Sequence, residues 1–283
     1  MTKIDGKAFS QKILENIKEE HGLLAKTHKR AAGLAVIIVG ENPASQVYVR
    51  NKIRACESVG FYSETIKLGE EITEEELIGE IEKLNNDEKI DGILVQLPLP
   101  KHIDELKIID TIKPEKDVDG FHVANIGKMV IGDKSAFLSC TPYGIMQLLE
   151  EYGIEILGKD AVIIGRSNIV GKPMALMLIQ KGATVQVCNS KTKNMKEKLR
   201  AADIVIAAAG VPNLVGGDSI KEGAVVIDVG INRVDGKLCG DVNYEQASQK
   251  ASYITPVPGG VGPMTIASLI KNTFKSYMRN INK

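Results

Sequence analysis

An apolar run, Asp160-Ala-Val-Ile-Ile-Gly165, opens onto Gly165-Arg-Ser-Asn-Ile-Val-Gly171 and then onto a segment of helical character. A glycine turn between a buried strand and a helix N-terminus presents free backbone amides and the positive end of the helix dipole, a combination that binds phosphate. The spacing is G-x-x-x-x-x-G rather than G-x-G-x-x-G, and on spacing alone an ordinary strand-to-helix turn would look the same. Arg166 and Ser167 add a permanent positive charge and a hydroxyl, both suited to phosphate oxygens. The next strand ends Cys188-Asn-Ser-Lys-Thr192, with no carboxylate to accept from a ribose 2′-hydroxyl. A neutral-to-basic pocket there predicts NADP rather than NAD; Lys191 either meets the 2′-phosphate or lies in solvent.

A second group of polar residues lies in the first half of the chain. Tyr48 and Lys52 are four apart on a predicted helix over 44–59, so they share a face, beside an apolar stripe through Val49, Ile53 and Cys56. Gln96 closes a predicted buried strand, Ile90-Asp-Gly-Ile-Leu-Val-Gln-Leu97, at the carboxyl end where open α/β sheets place ligands. Leu97-Pro-Leu-Pro100 ends that strand. Asp119 lies in Asp117-Val-Asp-Gly-Phe-His122. Alone, each has an ordinary reading: a helix Tyr and Lys lie mostly on surfaces, a strand-end Gln satisfies loop backbone, and an Asp before Gly forms a turn.

The elements that must position these residues follow from periodicity. Residues 8–20 read as a helix through Phe9, Ile13 and Ile17, and 33–40 as a strand buried on both faces. Residues 62–68 read as another strand. Thr73-Glu-Glu-Glu76 forms a capping box that opens a helix with Leu77, Ile81 and Leu84 inside. Strands separated by such helices need crossovers, so the sheet is expected to be parallel. A second unit begins at Thr141-Pro142, an N-cap followed by proline at the first helical position. Strands at 160–165, 183–188, 203–207 and 224–228 then alternate with helices in a doubly wound pattern, and 263–280 reads as a final helix.

Lys+Arg and Asp+Glu balance at 36 each, and 43% of the 283 residues are apolar. The first supplies no basic face for nucleic acid or a membrane surface; the second is enough for a substantial core. Cys56, Cys140, Cys188 and Cys239 form no C-x-x-C pair and lack a histidine at metal spacing, so they are expected as reduced thiols with no metal site. The N-terminus has no apolar leader and no run is long enough to span a bilayer, which predicts a soluble, cytoplasmic protein.

Taken together, Val39-Gly-Glu-Asn-Pro-Ala-Ser45 through Tyr48-x-x-x-Lys52, Asp91-Gly-Ile-Leu-Val-Gln-Leu-Pro-Leu-Pro100 and Lys116-Asp-Val-Asp-Gly-Phe121 resemble the bifunctional methylenetetrahydrofolate dehydrogenase/methenyltetrahydrofolate cyclohydrolase family. So do Gly165-Arg-Ser-Asn-Ile-Val-Gly-Lys-Pro173, Asp228-Val-Gly-Ile-Asn232 and Thr255-Pro-Val-Pro-Gly-Gly-Val-Gly-Pro-Met-Thr265. The motifs appear in family order across nearly the whole chain. The resemblance implies two α/β domains flanking a cleft: a folate-binding domain, 1–140, completed by a C-terminal helix, 263–283, that returns to it, and a Rossmann-like NADP-binding domain, 141–262. It also implies a homodimer. Tyr48 then stacks on the folate, Lys52 is the key cyclohydrolase lysine, Gln96 is its partner and Asp119 grips the pterin. Val95 and Leu97 flank that site, and Pro258, Gly259, Gly260, Val261 and Gly262 border the folate. Gly165, Arg166, Ser167 and Ser190 meet NADP, and Ile231 lies near the nicotinamide. The chain departs from the family pattern at Ser139, where proline is usual, and at Asn189, where histidine often precedes the serine.

The expected activity oxidises 5,10-methylenetetrahydrofolate with NADP and hydrolyses the 5,10-methenyl product to 10-formyltetrahydrofolate. Hydride transfer between two bound rings needs mainly orientation, in keeping with a sequence that carries no Ser-His-Asp-like set. The competing readings are a monofunctional dehydrogenase of the same family, a shikimate dehydrogenase-like enzyme and a folate- or NADP-binding regulator without turnover.

Overall fold

The computed structural model describes residues 1–282 of the chain. Its first elements are β1 (Thr2–Lys3), α1 (Gly6–His28), β2 (Gly33–Val39), α2 (Pro43–Ser58), β3 (Tyr62–Leu68), α3 (Glu74–Asn86), β4 (Gly92–Val95), α4 (Glu105–Thr111), α5 (Val123–Val130) and α6 (Cys140–Glu151). They are followed by β5 (Asp160–Ile164), α7 (Gly171–Gln180), β6 (Thr184–Cys188), α8 (Met195–Ala201), β7 (Ile204–Ala207), β8 (Val225–Asp228), β9 (Asn232–Val234), β10 (Lys237–Cys239), α9 (Tyr244–Ala247), β11 (Tyr253–Ile254) and α10 (Val261–Ile281).

The chain divides into two compact α/β units. The first comprises Gln11–Cys140 and the chain from Ile266; the second comprises Met1–Ser10 and Thr141–Thr265. Residues 1–10, assigned from sequence to the 1–140 domain, thus group with the second unit, because β1 pairs in parallel with β11. α10 begins at Val261 rather than 263, and its first turn also groups with the second unit.

In the first unit a parallel sheet runs β3-β2-β4. Every residue of β2 is buried. Leu34, Val36 and Ile38 enter a cluster with Val49 and Cys56 of α2 and Leu269, Ile270, Phe274 and Tyr277 of α10. Ala35, Ile37 and Val39 enter a second cluster with Leu77, Ile81 and Leu84 of α3. A strand with period-two side chains and a core on each face must be apolar throughout, as this one is. Each fully buried Leu, Ile or Val contributes about 1.5–3 kcal/mol. α1 runs well past residue 20, because His21 and Leu24 continue its packed face.

In the second unit the order is β1-β11-β8-β7-β5-β6, all parallel. From β5 onward this is the doubly wound order 2-1-3-4-5, whose topological switch point lies between β5 and β7. Val162, Ile164, Val205, Ala207 and Val226 pack on one face with Leu199, Ala202 and Val242. The two-residue strands β1 and β11 extend the sheet beyond the four strands expected from sequence.

Candidate active site

In the first unit, α2 starts where Asn42 accepts from the amides of Ala44 (3.0 Å) and Ser45 (3.2 Å), with Pro43 at the first helical position. That start sets the helical phase. Ser45, Val49, Lys52 and Cys56 form the buried stripe, so Lys52 belongs to it rather than flanking it, and is only 7% exposed. Its Nζ donates to Gln96 Oε1 at 3.0 Å, while Gln96 Nε2 donates to the Leu97 carbonyl at 2.7 Å. The Gln96 amide itself donates to the Ile37 carbonyl, continuing the β2–β4 ladder past the buried Val95. Gln96 is therefore held at the carboxyl edge, between the two strands where the 3-2-4 order reverses. Tyr48, half-buried, lies one turn before Lys52, and burial raises its phenol pKa.

Asp119 is half-buried in a loop built by its buried neighbour Asp117. Asp117 accepts from the amides of Gly120, Phe121 and His122 and from Asn125 Nδ2. Burial raises the Asp117 pKa despite those donors. Ser139 closes the same loop: its buried hydroxyl donates to the Gly120 carbonyl at 3.1 Å. Beside it the Cys140 thiol donates to the Val118 carbonyl at 3.3 Å. Burial pushes that thiol well above its usual range; Asp119 adds to the effect and Lys52 opposes it. Lys52, Gln96, Asp119 and Cys140 thus form one polar group. Asp117, Ser139 and Cys140 were not singled out from sequence as site residues. The departure from the family pattern at Ser139 was the available signal.

In the second unit, Gly165 has φ +125°, and a Cβ there would collide with the Ala208 carbonyl oxygen. The turn after β5 and the loop after β7 therefore meet at the switch point. The exposed Arg166 and Ser167 occupy the turn. Ser167 Oγ accepts from the amides of Val170 (3.1 Å) and Gly171 (3.4 Å), so its hydroxyl caps the entry to α7. At the end of β6, Asn189 Oδ1 accepts from the Lys191 amide and the Asn189 amide donates to Thr192 Oγ1, both at 2.9 Å. This turn presents Ser190 and Lys191 to solvent with no acidic side chain between residues 188 and 193. Ile231 follows β8 and is 46% exposed. The edge from β6 to β8 spans three strand spacings, roughly 14 Å, room for an extended dinucleotide. A glycine-flush turn at a helix N-terminus, flanked by a β6 end without carboxylates, fits NADP.

Pro258, Gly259, Gly260, Val261 and Gly262 also belong to the second unit, whereas Tyr48, Lys52, Gln96 and Asp119 belong to the first. Pro258 is exposed and Val261 is buried. The Gly259 carbonyl accepts from the Lys7 amide at 2.9 Å, and Gly6 passes so close to the Gly260 carbonyl that no side chain fits there. A Cβ on Gly262 would lie 3.9 Å from Ile231 Cδ1, so this loop and the post-β8 loop are neighbours.

Residues 4–119 match the family model for the tetrahydrofolate dehydrogenase/cyclohydrolase catalytic domain, and residues 139–281 match that for its NAD(P)-binding domain. The chain is 59% identical over 277 residues to the bifunctional protein FolD of Moorella thermoacetica, covering 98% of each. The crystal structure of the Campylobacter jejuni bifunctional enzyme FolD, at 55% identity, superposes with a TM-score of 0.97 over 99% of each chain. The Trypanosoma brucei enzyme, complexed with NADP cofactor and an inhibitor, is 42% identical and also has a TM-score of 0.97, over 100% of this chain and 99% of that one. On these matches the chain belongs to the tetrahydrofolate dehydrogenase/cyclohydrolase family.

Proposed function

We propose that this chain oxidises 5,10-methylenetetrahydrofolate with NADP⁺ and hydrolyses the 5,10-methenyl product to 10-formyltetrahydrofolate. The Lys52–Gln96 hydrogen bond carries this reading, because it fixes a buried amine at a sheet switch point in a chain of this family. The unit containing residues 11–140 is the folate-binding catalytic part, and the unit containing residues 141–265 binds NADP.

Bound NADP⁺ accepts the hydride. The protein's part in that step is orientation, worth several kcal/mol when the reacting atoms are held together. Tyr48 stacks on the folate, Asp119 grips the pterin, and Val95 and Leu97 flank it. Gly165, Arg166 and Ser167 hold the diphosphate, Ser190 the 2′-phosphate side, and Ile231 the nicotinamide side. In the second step water adds to the cationic bridging carbon and loses a proton. The carbon–N5 bond then breaks as the new hydroxyl gives up its proton and N5 takes one up, leaving the formyl group on N10 and one proton released overall. A cationic carbon beside an amine favours the amine's neutral form, since like charges repel. Lys52, aimed by Gln96, takes and returns the proton. The enzyme acts as a homodimer in the cytoplasm; among the described residues no helix is long and apolar enough to cross a membrane.

The test mixes purified protein with methylenetetrahydrofolate and follows reduced cofactor and methenyl absorbance together, with NADP⁺ and NAD⁺ in parallel. NADP⁺ reduction without matching methenyl accumulation supports both activities. Reduction with stoichiometric methenyl accumulation leaves a dehydrogenase only. No reduction with either cofactor removes the oxidative step.

A further inference from the structure

Two buried carboxylates, Asp228 and Asp241, lie behind the carboxyl edge of the second unit and are absent from the roles assigned above. The β9–β10 hairpin brings them together. Its turn, Asp235-Gly236, has positive φ at both residues (+48° and +76°), the geometry of a tight two-residue hairpin. The returning strand sets Gly240-Asp241 beside Asp228. Asp228 accepts from the amides of Gly230 (3.1 Å), Asp241 (2.9 Å) and Val242 (3.0 Å). Asp241 accepts from the amides of Ala209 (2.6 Å) and Gly210 (2.9 Å) and from Asn232 Nδ2 (2.9 Å). The Asp228 amide donates to Thr255 Oγ1 at 2.7 Å, at the head of the chain leading to Pro258.

The carboxylates also occupy space that side chains would need. A Cβ on Gly230 would collide with Asp241 Oδ1, and one on Gly240 with Asp228 Oδ2. Burying two carboxylates side by side is unfavourable, and burial raises the Asp228 pKa to about 6. In return, six donors from separate segments converge on four oxygens. The segments are the loop after β7, the loop after β8 and the chain returning from β10. The first of these contains the Ala208 carbonyl that meets Gly165 at the switch point, and the second contains Ile231.

We infer that Asp241, backed by Asp228, is a positioning residue for the nicotinamide half of NADP. It locks the post-β7 and post-β8 loops in the one spacing that receives and orients that ring. The inference rests on the second unit's being the NADP-binding unit.

Asp241→Asn turns one of the two acceptor oxygens into an NH2 group, so that, whichever way the amide is turned, a donor faces either the Ala209 and Gly210 amides or Asn232 Nδ2, and the negative charge that all three donors meet is lost. The expected result is a Kd for NADPH, read by its fluorescence, and a KM for NADP⁺ both raised about tenfold or more, as loss of sub-ångström positioning implies. Cyclohydrolase kcat/KM, measured on supplied methenyltetrahydrofolate without cofactor, is expected to stay within about twofold, because its residues lie in the other unit. Unchanged Kd and KM overturn the inference, and so does a parallel fall in cyclohydrolase activity, which marks a general loss of folding. Should Asp241→Asn yield no soluble protein, Asn232→Ser removes one donor to Asp241, and the same split on a smaller scale is expected. An unchanged Kd there also overturns it. Wild-type protein that binds NADPH but oxidises no methylenetetrahydrofolate would sink the proposed function while the NADPH titrations still decide this point.

Discussion

Lys52 Nζ lies 3.0 Å from Gln96 Oε1, with Gln96 in turn tied by its Nε2 to the neighbouring Leu97 carbonyl. The amine thus donates to a side chain that is itself anchored to rigid strand-end backbone. Lys52→Met keeps much of the buried stem but removes the amine. We expect cyclohydrolase activity to fall by ~10²–10⁴-fold, the usual worth of general acid–base assistance, with dehydrogenase turnover retained. Methenyltetrahydrofolate would then accumulate in a continuous assay. Gln96→Ala should lower cyclohydrolase activity as well, by leaving the amine unaimed. Full cyclohydrolase activity in Lys52→Met would sink the assignment.

Cofactor choice should respond to the end of β6. Ser190 is exposed in a turn shaped by Asn189 and flanked by Lys191, with no carboxylate in reach along the chain. Ser190→Asp would bring a carboxylate toward the 2′-phosphate. Like charges about 4 Å apart near a surface cost well over 1 kcal/mol, which predicts a KM for NADP⁺ raised about tenfold or more. With NAD⁺ the same carboxylate meets a hydroxyl and the KM should hold or fall. Steady-state kinetics with both cofactors read the ratio; an unaltered ratio would place the 2′-phosphate elsewhere.

The long apolar and capped elements were legible in the sequence because their signals are local. β2 shows as a continuous apolar run, α3 through its Thr73–Glu76 box, and the turn after β5 through Gly165 and Gly171. The two-residue strands β1 and β11 offer no period to detect, and their pairing joins residues some 250 apart. α4 and α5 are only 7 and 8 residues long and also escaped notice. Within the site, residue types were readable but environments were not. Lys52 looks like a surface lysine until the phase of α2 puts it in the buried stripe. Asp241 reads as an ordinary residue after glycine, since its partners Ala209, Gly210 and Asn232 arrive only through the sheet order and a hairpin.

Asp91 should be a main stabiliser of the first unit. Its fully buried carboxylate accepts two hydrogen bonds from the Arg30 guanidinium at 2.8 Å, one from the Gly33 amide at 2.9 Å and one from Asn280 Nδ2 at 2.8 Å. The Arg30 guanidinium also lies 5.1 Å from the Tyr277 ring centroid. Asp91→Ala is expected to cost about 3 kcal/mol, the low end for breaking a buried pair, because Arg30 keeps some water. Glu74→Ala, which breaks the surface Lys107–Glu74 pair and a hydrogen bond from the Asp104 amide, should cost less. Urea unfolding of the two variants makes the comparison, and equal losses would contradict it.

Acid should weaken the first unit through His21. Its ring is buried between Phe61, Phe274 and Tyr277, with Nδ1 3.0 Å from the Val59 carbonyl and Nε2 3.0 Å from the Ala32 amide. A carbonyl on one side and an N–H on the other select the neutral tautomer with its proton on Nδ1. Burial lowers the pKa, while the Val59 carbonyl and the Asp91 charge oppose that shift without cancelling it. A folded-state pKa below the unfolded value of 6.5 means that the unfolded chain takes up the proton first. The stabilisation is therefore complete above that value and is lost as pH falls through the folded pKa. His21→Gln can keep an acceptor near the Nε2 position for the Ala32 amide but does not titrate. The stability difference between wild type and His21→Gln, from urea unfolding at pH 8, 7, 6 and 5, should move against the wild type as pH falls. A difference that stays constant across the series would show that His21 does not carry this pH dependence.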